Sequence, residues 1–262
     1  MAARIVVFDS GLGGLTVYRE IAAARPDADF LYAADDAAFP YGGLDDTALI
    51  ARVVPLIGEL IDAHRPDLVV IACNTASTIV LPALRQKYSV PFVGTVPAIK
   101  PACAASTTRR VSVLGTDATV KREYTRALIR DYAKDCEVTL VGSTRLAGYA
   151  EAELQGTPPT DDALLAEIAP CFQDGSRRTD TIVLACTHYP LLLDRFTRLA
   201  PWPVGFLDPA PAIARRVTTL LGRPDAAGKT GSARAFFTSG RPPAAILARF
   251  GIGWTAAAEA AR

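Results

Sequence analysis

Histidine is scarce in this 262-residue chain, with two residues, as are methionine, with one, and tryptophan, with two. Two imidazoles cannot build a histidine-rich metal site. Long apolar runs are missing too: no segment approaches the ~20 apolar residues that a membrane-spanning helix requires. Neither sign of charge dominates, with 28 basic residues against 27 acidic ones. No basic face is implied, and nucleic acid is not a favoured partner. The five cysteines are odd in number and sparse, so reduced thiols are expected. The start, MAARIVVFDS, has an acidic residue by position 9 and no long apolar stretch; a cytoplasmic location is expected.

What is present is alternation. Short β-branched runs predict strands over Arg4–Phe8, Phe30–Ala34, Asp67–Cys73, Phe92–Gly94, Val111–Gly115, Val138–Val141, Thr181–Cys186, Val204–Leu207 and Ala233–Thr238, with helical patterns between them. From Asp45 to His64, the residues Leu49, Val53, Leu56, Ile57, Leu60 and Ile61 recur at helical spacing behind the caps Asp45 and Asp46, and Pro66 ends the run. The order strand, DSG loop, helix; strand, ADD loop; strand, ACNT is repeated weakly as strand, LGT loop, helix; strand, loop; strand, ACTH. The expectation is α/β: two similar α/β domains with mainly parallel sheets facing each other across a central active-site cleft. Residues 1–97 with 208–262 form the first domain, carrying Cys73, and 98–207 the second, carrying Cys186. The segment Gly222–Ser232 reads as an exposed loop. Its GKT is not a P-loop, because the first glycine and preceding strand of that motif are missing.

Cys73 and Cys186 stand apart from the other cysteines. Each ends an apolar run and begins a polar cluster, LVVIACNTAS over 68–77 and TIVLACTHYP over 181–190. That is the pattern of a strand delivering a residue to a crevice at its carboxyl end. The frames are C-N-T and C-T-H, far apart in the chain, and match no short metal-ligand spacing. Cys103, Cys136 and Cys171 have no polar motif around them and read as packing.

Asp9 and Ser10 follow the first strand and lead into a glycine-rich turn whose N–H groups suit a small anion such as a carboxylate. The G-x-G-x-x-G spacing of a dinucleotide site is missing. The carboxylates Asp35 and Asp36 end the second strand and are followed by Pro40, Tyr41 and Gly42, where Pro-Tyr-Gly is also ordinary turn chemistry. His64 ends a helix, where a cation favours the dipole, and reads as structural. His188, two residues beyond Cys186, is placed to assist thiolate formation.

Together IVVFDSGLGGLTV, FPYGG, VIACNTAS, LACTHYPLLL and LDPAPA resemble, in order over nearly the whole chain, the glutamate racemases of the aspartate/glutamate racemase superfamily. The resemblance implies a cofactor-independent enzyme, without metal, that interconverts L- and D-glutamate for peptidoglycan synthesis, and a homodimer. It implies that Cys73 and Cys186 are acid/base thiols assisted by Asp9 and His188, with Glu151 as the accessory glutamate. Asp9, Ser10, Asp35, Pro40, Tyr41, Gly42, Asn74, Thr75, Thr116, Thr119, Thr187 and His188 are its implied substrate residues. Ala38 stands where the family often has arginine, which removes the basis for a local ion pair at that position. An aspartate racemase of the same superfamily and a non-catalytic amino-acid binding protein are the alternatives; the second has no need of matched thiols.

Overall fold

The computed structural model describes residues 2–224 and 230–253. Residues 225–229, in the expected loop over Gly222–Ser232, lie outside the described residues. In chain order the first stretch is β1 (Arg4–Asp9), α1 (Leu15–Ala24), β2 (Asp29–Ala34), α2 (Asp46–His64), β3 (Leu68–Ile71), α3 (Asn74–Lys87) and β4 (Phe92–Gly94). The middle stretch is α4 (Ile99–Ala105), β5 (Arg110–Thr116), α5 (Asp117–Lys121), α6 (Glu123–Tyr132), β6 (Glu137–Ser143), α7 (Leu146–Leu154), α8 (Asp161–Ile168), β7 (Thr181–Ala185), α9 (Leu193–Leu199) and β8 (Gly205–Leu207). The chain then returns through α10 (Ala210–Leu221), β9 (Ala233–Phe237) and α11 (Ala244–Arg249). It divides into two compact units, Met1–Thr95 with Ala210–Arg262, and Val96–Pro209.

Each unit holds one parallel sheet. The first has strand order β4-β3-β1-β2-β9 and the second β6-β5-β7-β8. Read from its other edge, the second is β8-β7-β5-β6, the order of the first without β9, so the weak sequence duplication is a duplication of topology. The central strands are apolar almost throughout because parallel strands are covered on both faces; all four residues of β3 are buried, whereas the edge strands β6 and β8 are largely exposed or half-buried. In the first unit Val6, Phe8, Leu31, Ala33, Val69 and Ile71 pack with Leu49, Val53 and Ile57 of α2 and Val80 and Leu84 of α3. Residues of opposite parity turn to the other face, where Tyr18 of α1 stacks edge-on against Phe30 and Tyr32.

Helix α2 starts where the sequence predicts, the Asp45 carboxylate accepting from Ala48 N at 2.8 Å. It ends on Arg65 in the left-handed region, φ 45°, directly before Pro66, which cannot continue a helix. His64 corrects one expectation. Its Nδ1 accepts from Arg234 Nη2 at 3.2 Å, and burial together with that guanidinium lowers its pKa. Arg234 therefore supplies the cation at this helix end and His64 is the neutral acceptor. Cys103 and Cys171 are buried and Cys136 half-buried. Among the described residues no helix is long and apolar enough to cross a membrane.

Candidate active site

In a sheet ordered 4-3-1-2, consecutive connections leave β1 in opposite directions, and a crevice opens between the carboxyl ends of β1 and β3. Asp9 and Ser10 lie at the end of β1, and Cys73, Asn74 and Thr75 just beyond β3. The equivalent place in the second unit, between β5 and β7, holds Thr116 and the run Cys186, Thr187, His188. Both cysteines stand beyond their strands, correcting the predicted strand ends: β3 stops at Ile71 and β7 at Ala185. The reason is local. Cys73 is the N-cap of α3, with φ −120° and ψ 121°, and Cys186 opens the turn in which its carbonyl accepts from Tyr189 N.

In the first unit the Cys73 thiol lies 3.9 Å from Ser10 Oγ. Asp9 is fully buried, and its Oδ2 accepts from Gly14 N at 2.8 Å and Gly11 N at 3.3 Å. Those two amides of the glycine-rich turn, expected to face a bound anion, are thus turned onto the chain's own carboxylate. The turn must be glycine at position 14, because a Cβ there would stand 2.6 Å from Asp9 Cβ. The first turn of α3 adds a helix N-terminus beside Cys73, which favours negative charge. Asn74, in that turn, is 2% exposed, and neither its Nδ2 nor its Oδ1 has a hydrogen-bond partner. An unsatisfied buried amide costs about 1–3 kcal/mol, the kind of cost tolerated where a ligand completes the bonds.

The ADD loop is organised around Asp35, which is fully buried. Its carboxylate accepts from the Tyr41 hydroxyl at 2.6 Å, Thr238 Oγ1 at 2.8 Å, and Arg52 Nε and Nη2 at 2.5 and 2.6 Å. Burial pushes its pKa up, but the bonds from Arg52, Tyr41 and Thr238 outweigh this and hold it below the usual carboxylate value. Asp35 is therefore occupied by the protein, unlike the substrate contact expected. Tyr41 is buried, its phenol pushed far up by desolvation and by Asp35, whereas Pro40 and Gly42 of the same turn are exposed. Arg52 and Thr238 are missing from the sequence reading, since they lie 17 and 203 residues from Asp35.

In the second unit Cys186, His188 and Glu151 form a chain. The thiol is 3.9 Å from His188 Nδ1, and His188 Nε2 is 3.0 Å from Glu151 Oε1 on α7. With Glu151 as acceptor, Nε2–H donates, and in the neutral imidazole Nδ1 carries the lone pair on the side of the thiol. The imidazole is 2% exposed and the glutamate side chain 16%. Thr187 is buried beside them. Thr116 caps α5, accepting from Thr119 N at 3.1 Å, and its hydroxyl bonds that of Thr119 at 2.8 Å. Thr119 is fully buried beneath that cap. Among the described residues no group of three or more His, Cys, Asp or Glu side chains is placed to hold a metal ion.

The sequence profile described as Asp/Glu/Hydantoin racemase matches residues 9–217. Glutamate racemase of Brucella anthropi is 59% identical over 220 residues, 83% of this chain and 79% of that protein. Glutamate racemase of Sinorhizobium medicae is 53% identical over 254 residues, 95% and 94% of the two chains. Among solved structures, Escherichia coli glutamate racemase in complex with L-glutamate and the activator UDP-MurNAc-Ala superposes with a TM-score of 0.88 at 39% identity, over 97% of each chain.

Proposed function

The chain belongs to the Asp/Glu/hydantoin racemase family, and on that premise we propose that it interconverts L- and D-glutamate by a two-thiol mechanism without a cofactor. The observation that carries the reading is the pair Cys73 and Cys186, each just beyond the carboxyl end of the equivalent strand in a duplicated topology. Similarity to glutamate racemases at 53–59% identity supports glutamate as substrate.

Inverting an α-carbon requires a base on one of its faces and an acid on the other. One cysteine as thiolate takes the α-proton and leaves the electron pair on carbon; the other, as thiol, donates its proton to the opposite face. After turnover the protonation states are exchanged and the reverse reaction is set up. Cys73 takes the proton from D-glutamate and Cys186 from L-glutamate. A free thiol, with a pKa of ~8.5, is mostly protonated at neutral pH. His188 accepts the Cys186 proton through Nδ1, with Glu151 supporting the imidazolium. On the other side Ser10, the buried Asp9 carboxylate and the α3 N-terminus surround Cys73. The unsatisfied Asn74 amide, with Thr75, Thr187 and the Tyr41–Gly42 turn, holds the substrate's polar groups. Thr116 is assigned to the same role and Thr119 beneath it to support. On this reading the enzyme is a cytoplasmic homodimer that supplies D-glutamate to peptidoglycan, and residues 1–97 with 208–262 and 98–207 are its two domains.

Deuterium incorporation at Cα in D₂O tests the proposal. Cys73→Ser and Cys186→Ser are each expected to lose racemisation, while each retains elimination of a leaving group from one enantiomer of a β-substituted glutamate, with opposite preference. Either variant racemising at the wild-type rate would overturn the two-base assignment.

A further inference from the structure

The Asp35 cluster points to a function for a residue outside the motifs. Asp35 is enclosed completely, yet its principal partner Arg52 is 40% exposed on α2, so one guanidinium spans from solvent to the base of the loop that ends β2. Through Asp35 that guanidinium reaches Tyr41, whose hydroxyl donates to the same Oδ2 that Arg52 Nε engages. We propose that Arg52 is a positioning residue: by clamping both oxygens of the Asp35 carboxylate it fixes the Tyr41 phenol, and with it the Tyr41–Gly42 turn that binds substrate. The substrate half of this statement rests on the racemase reading above.

The physical case is one of satisfied charge. A buried carboxylate persists only with enough donors around it. Arg52 supplies two of the four donors and is the cation that bonds Asp35; Tyr41 and Thr238 supply the others. The neighbouring groups offer no substitute. Asp36 is acidic and is engaged by Ser239; besides Asp35 and Arg52 itself, which also interacts with the Tyr41 hydroxyl directly, the titratable groups that Tyr41 faces are Cys73 and Asp9, both acidic. Without Arg52, desolvation favours protonated Asp35, and a proton on Oδ2 turns the oxygen that accepts from Tyr41 into a donor. Tyr41 loses its anchor, and its phenol is free to turn toward the acidic Cys73 and Asp9 side. A bidentate guanidinium is needed because an ammonium cannot engage both oxygens in the plane of the carboxylate.

The test compares wild type, Arg52→Ala and Arg52→Lys in three readouts: kcat and KM for both enantiomers across the neutral and mildly acidic range, rescue by added guanidinium, and ¹³C NMR titration of the Asp35 carboxyl. Arg52→Ala is expected to lose roughly tenfold in kcat/KM, carried by KM, the size of one charge-assisted contact. Its activity should fall further as pH is lowered, as Asp35 takes up a proton, and millimolar guanidinium should restore it; Arg52→Lys should lie between. Wild-type KM and pH profile in Arg52→Ala, or a lowered melting temperature alone, would overturn the proposal. If the alanine variant does not fold, Arg52→Lys showing no shift in KM or in the Asp35 titration has the same force. Should the wild-type protein fail to racemise glutamate, the racemase reading falls on that result alone, while the Asp35 titration still decides whether Arg52 holds the carboxylate.

Discussion

Replacing Glu151 by glutamine should weaken one direction of proton abstraction and spare the other. The carboxylate accepts from His188 Nε2 at 3.0 Å, and the side chain is 16% exposed, so solvent screens this contact only in part. Glutamine keeps the size and an acceptor oxygen but deletes the charge that stabilises an imidazolium. A hydrogen bond to a charged group contributes about 1.5–3 kcal/mol and a neutral one about 0.5–1.5 kcal/mol. The difference, about 1–1.5 kcal/mol, corresponds to roughly a 5- to 13-fold slower step at ~1.36 kcal/mol per tenfold. His188→Asn, which removes the acceptor itself, should cost more, ~10²-fold. Because the two enantiomers have equal free energy, steady-state kcat/KM must be equal in both directions, so that ratio hides the asymmetry and isotope partitioning reveals it. The assay is therefore the primary isotope effect with Cα-deuterated L- and D-glutamate. In Glu151→Gln the effect should rise toward its full value from L-glutamate, for which Cys186 is the proposed base, and stay near wild type from D-glutamate. Equal change from both enantiomers would mean that Glu151 and His188 bind substrate and tune neither thiol selectively.

Gly14→Ala should impair catalysis more than folding, since the added Cβ would stand 2.6 Å from Asp9 Cβ; abstraction from D-glutamate should slow while urea unfolding shifts by no more than about 1–3 kcal/mol, the usual range for an overpacked site, and an unaltered isotope effect from D-glutamate would refute the role of Asp9. Asp180→Asn tests stability at a distance from the chemistry. Its carboxylate accepts from Ser106 Oγ, Thr107 N and Thr108 N at 2.6 to 2.8 Å; burial raises its pKa, but these bonds hold it well below the ordinary value. The depressed folded pKa means a stabilisation present above the unfolded value of ~3.9 and lost as pH falls through the folded value. Urea titration should show a deficit of about 2–3 kcal/mol at neutral pH that narrows below about pH 4; a deficit independent of pH would refute the assignment.

The sequence was most legible where physics is local. Each expected strand forms within two residues of its apolar run, because a parallel strand covered on both faces needs a continuous apolar segment. Helix α2 was readable from its spacing, and its cap from Asp45. The Cys-Asn-Thr and Cys-Thr-His segments were readable because polarity switches abruptly at each cysteine. What was hidden depends on long-range closure. Arg52 is one arginine among many in sequence and becomes meaningful only when α2 brings it onto Asp35; Thr238 follows the last strand and becomes meaningful only when β9 pairs with β2, placing Thr238 N on Ala34 O. The glycine-rich turn misled for a related reason. Its composition announces N–H groups in search of an anion, and the sequence cannot say that Asp9, at the turn's own entrance, takes two of them.

The same closure explains why duplicated topology gives the two cysteines unequal surroundings. The strand order repeats, so the fold delivers a cysteine to the same place in each unit, but the surroundings come from connections that do not repeat. In the first unit the segment after β1 is a glycine turn wrapped on Asp9, and β9 is an added edge strand that brings Thr238 to Asp35. In the second the corresponding edge is free of such a strand among the described residues, and the long connection from β6 to β7 supplies α7, with Glu151 on it. Ser143, at the end of β6, sets that helix: its Oγ accepts from Arg145 N at 3.1 Å and Leu146 N at 3.0 Å, and it donates to Glu167 Oε2. A thiol at the first position is served by a short turn of its own strand, and a thiol at the second by a helix from a distant connection. Substitutions that loosen the β6 to α7 junction should therefore act on the Cys186 half-reaction alone, whereas the Cys73 half-reaction should respond to changes within the glycine turn that follows β1.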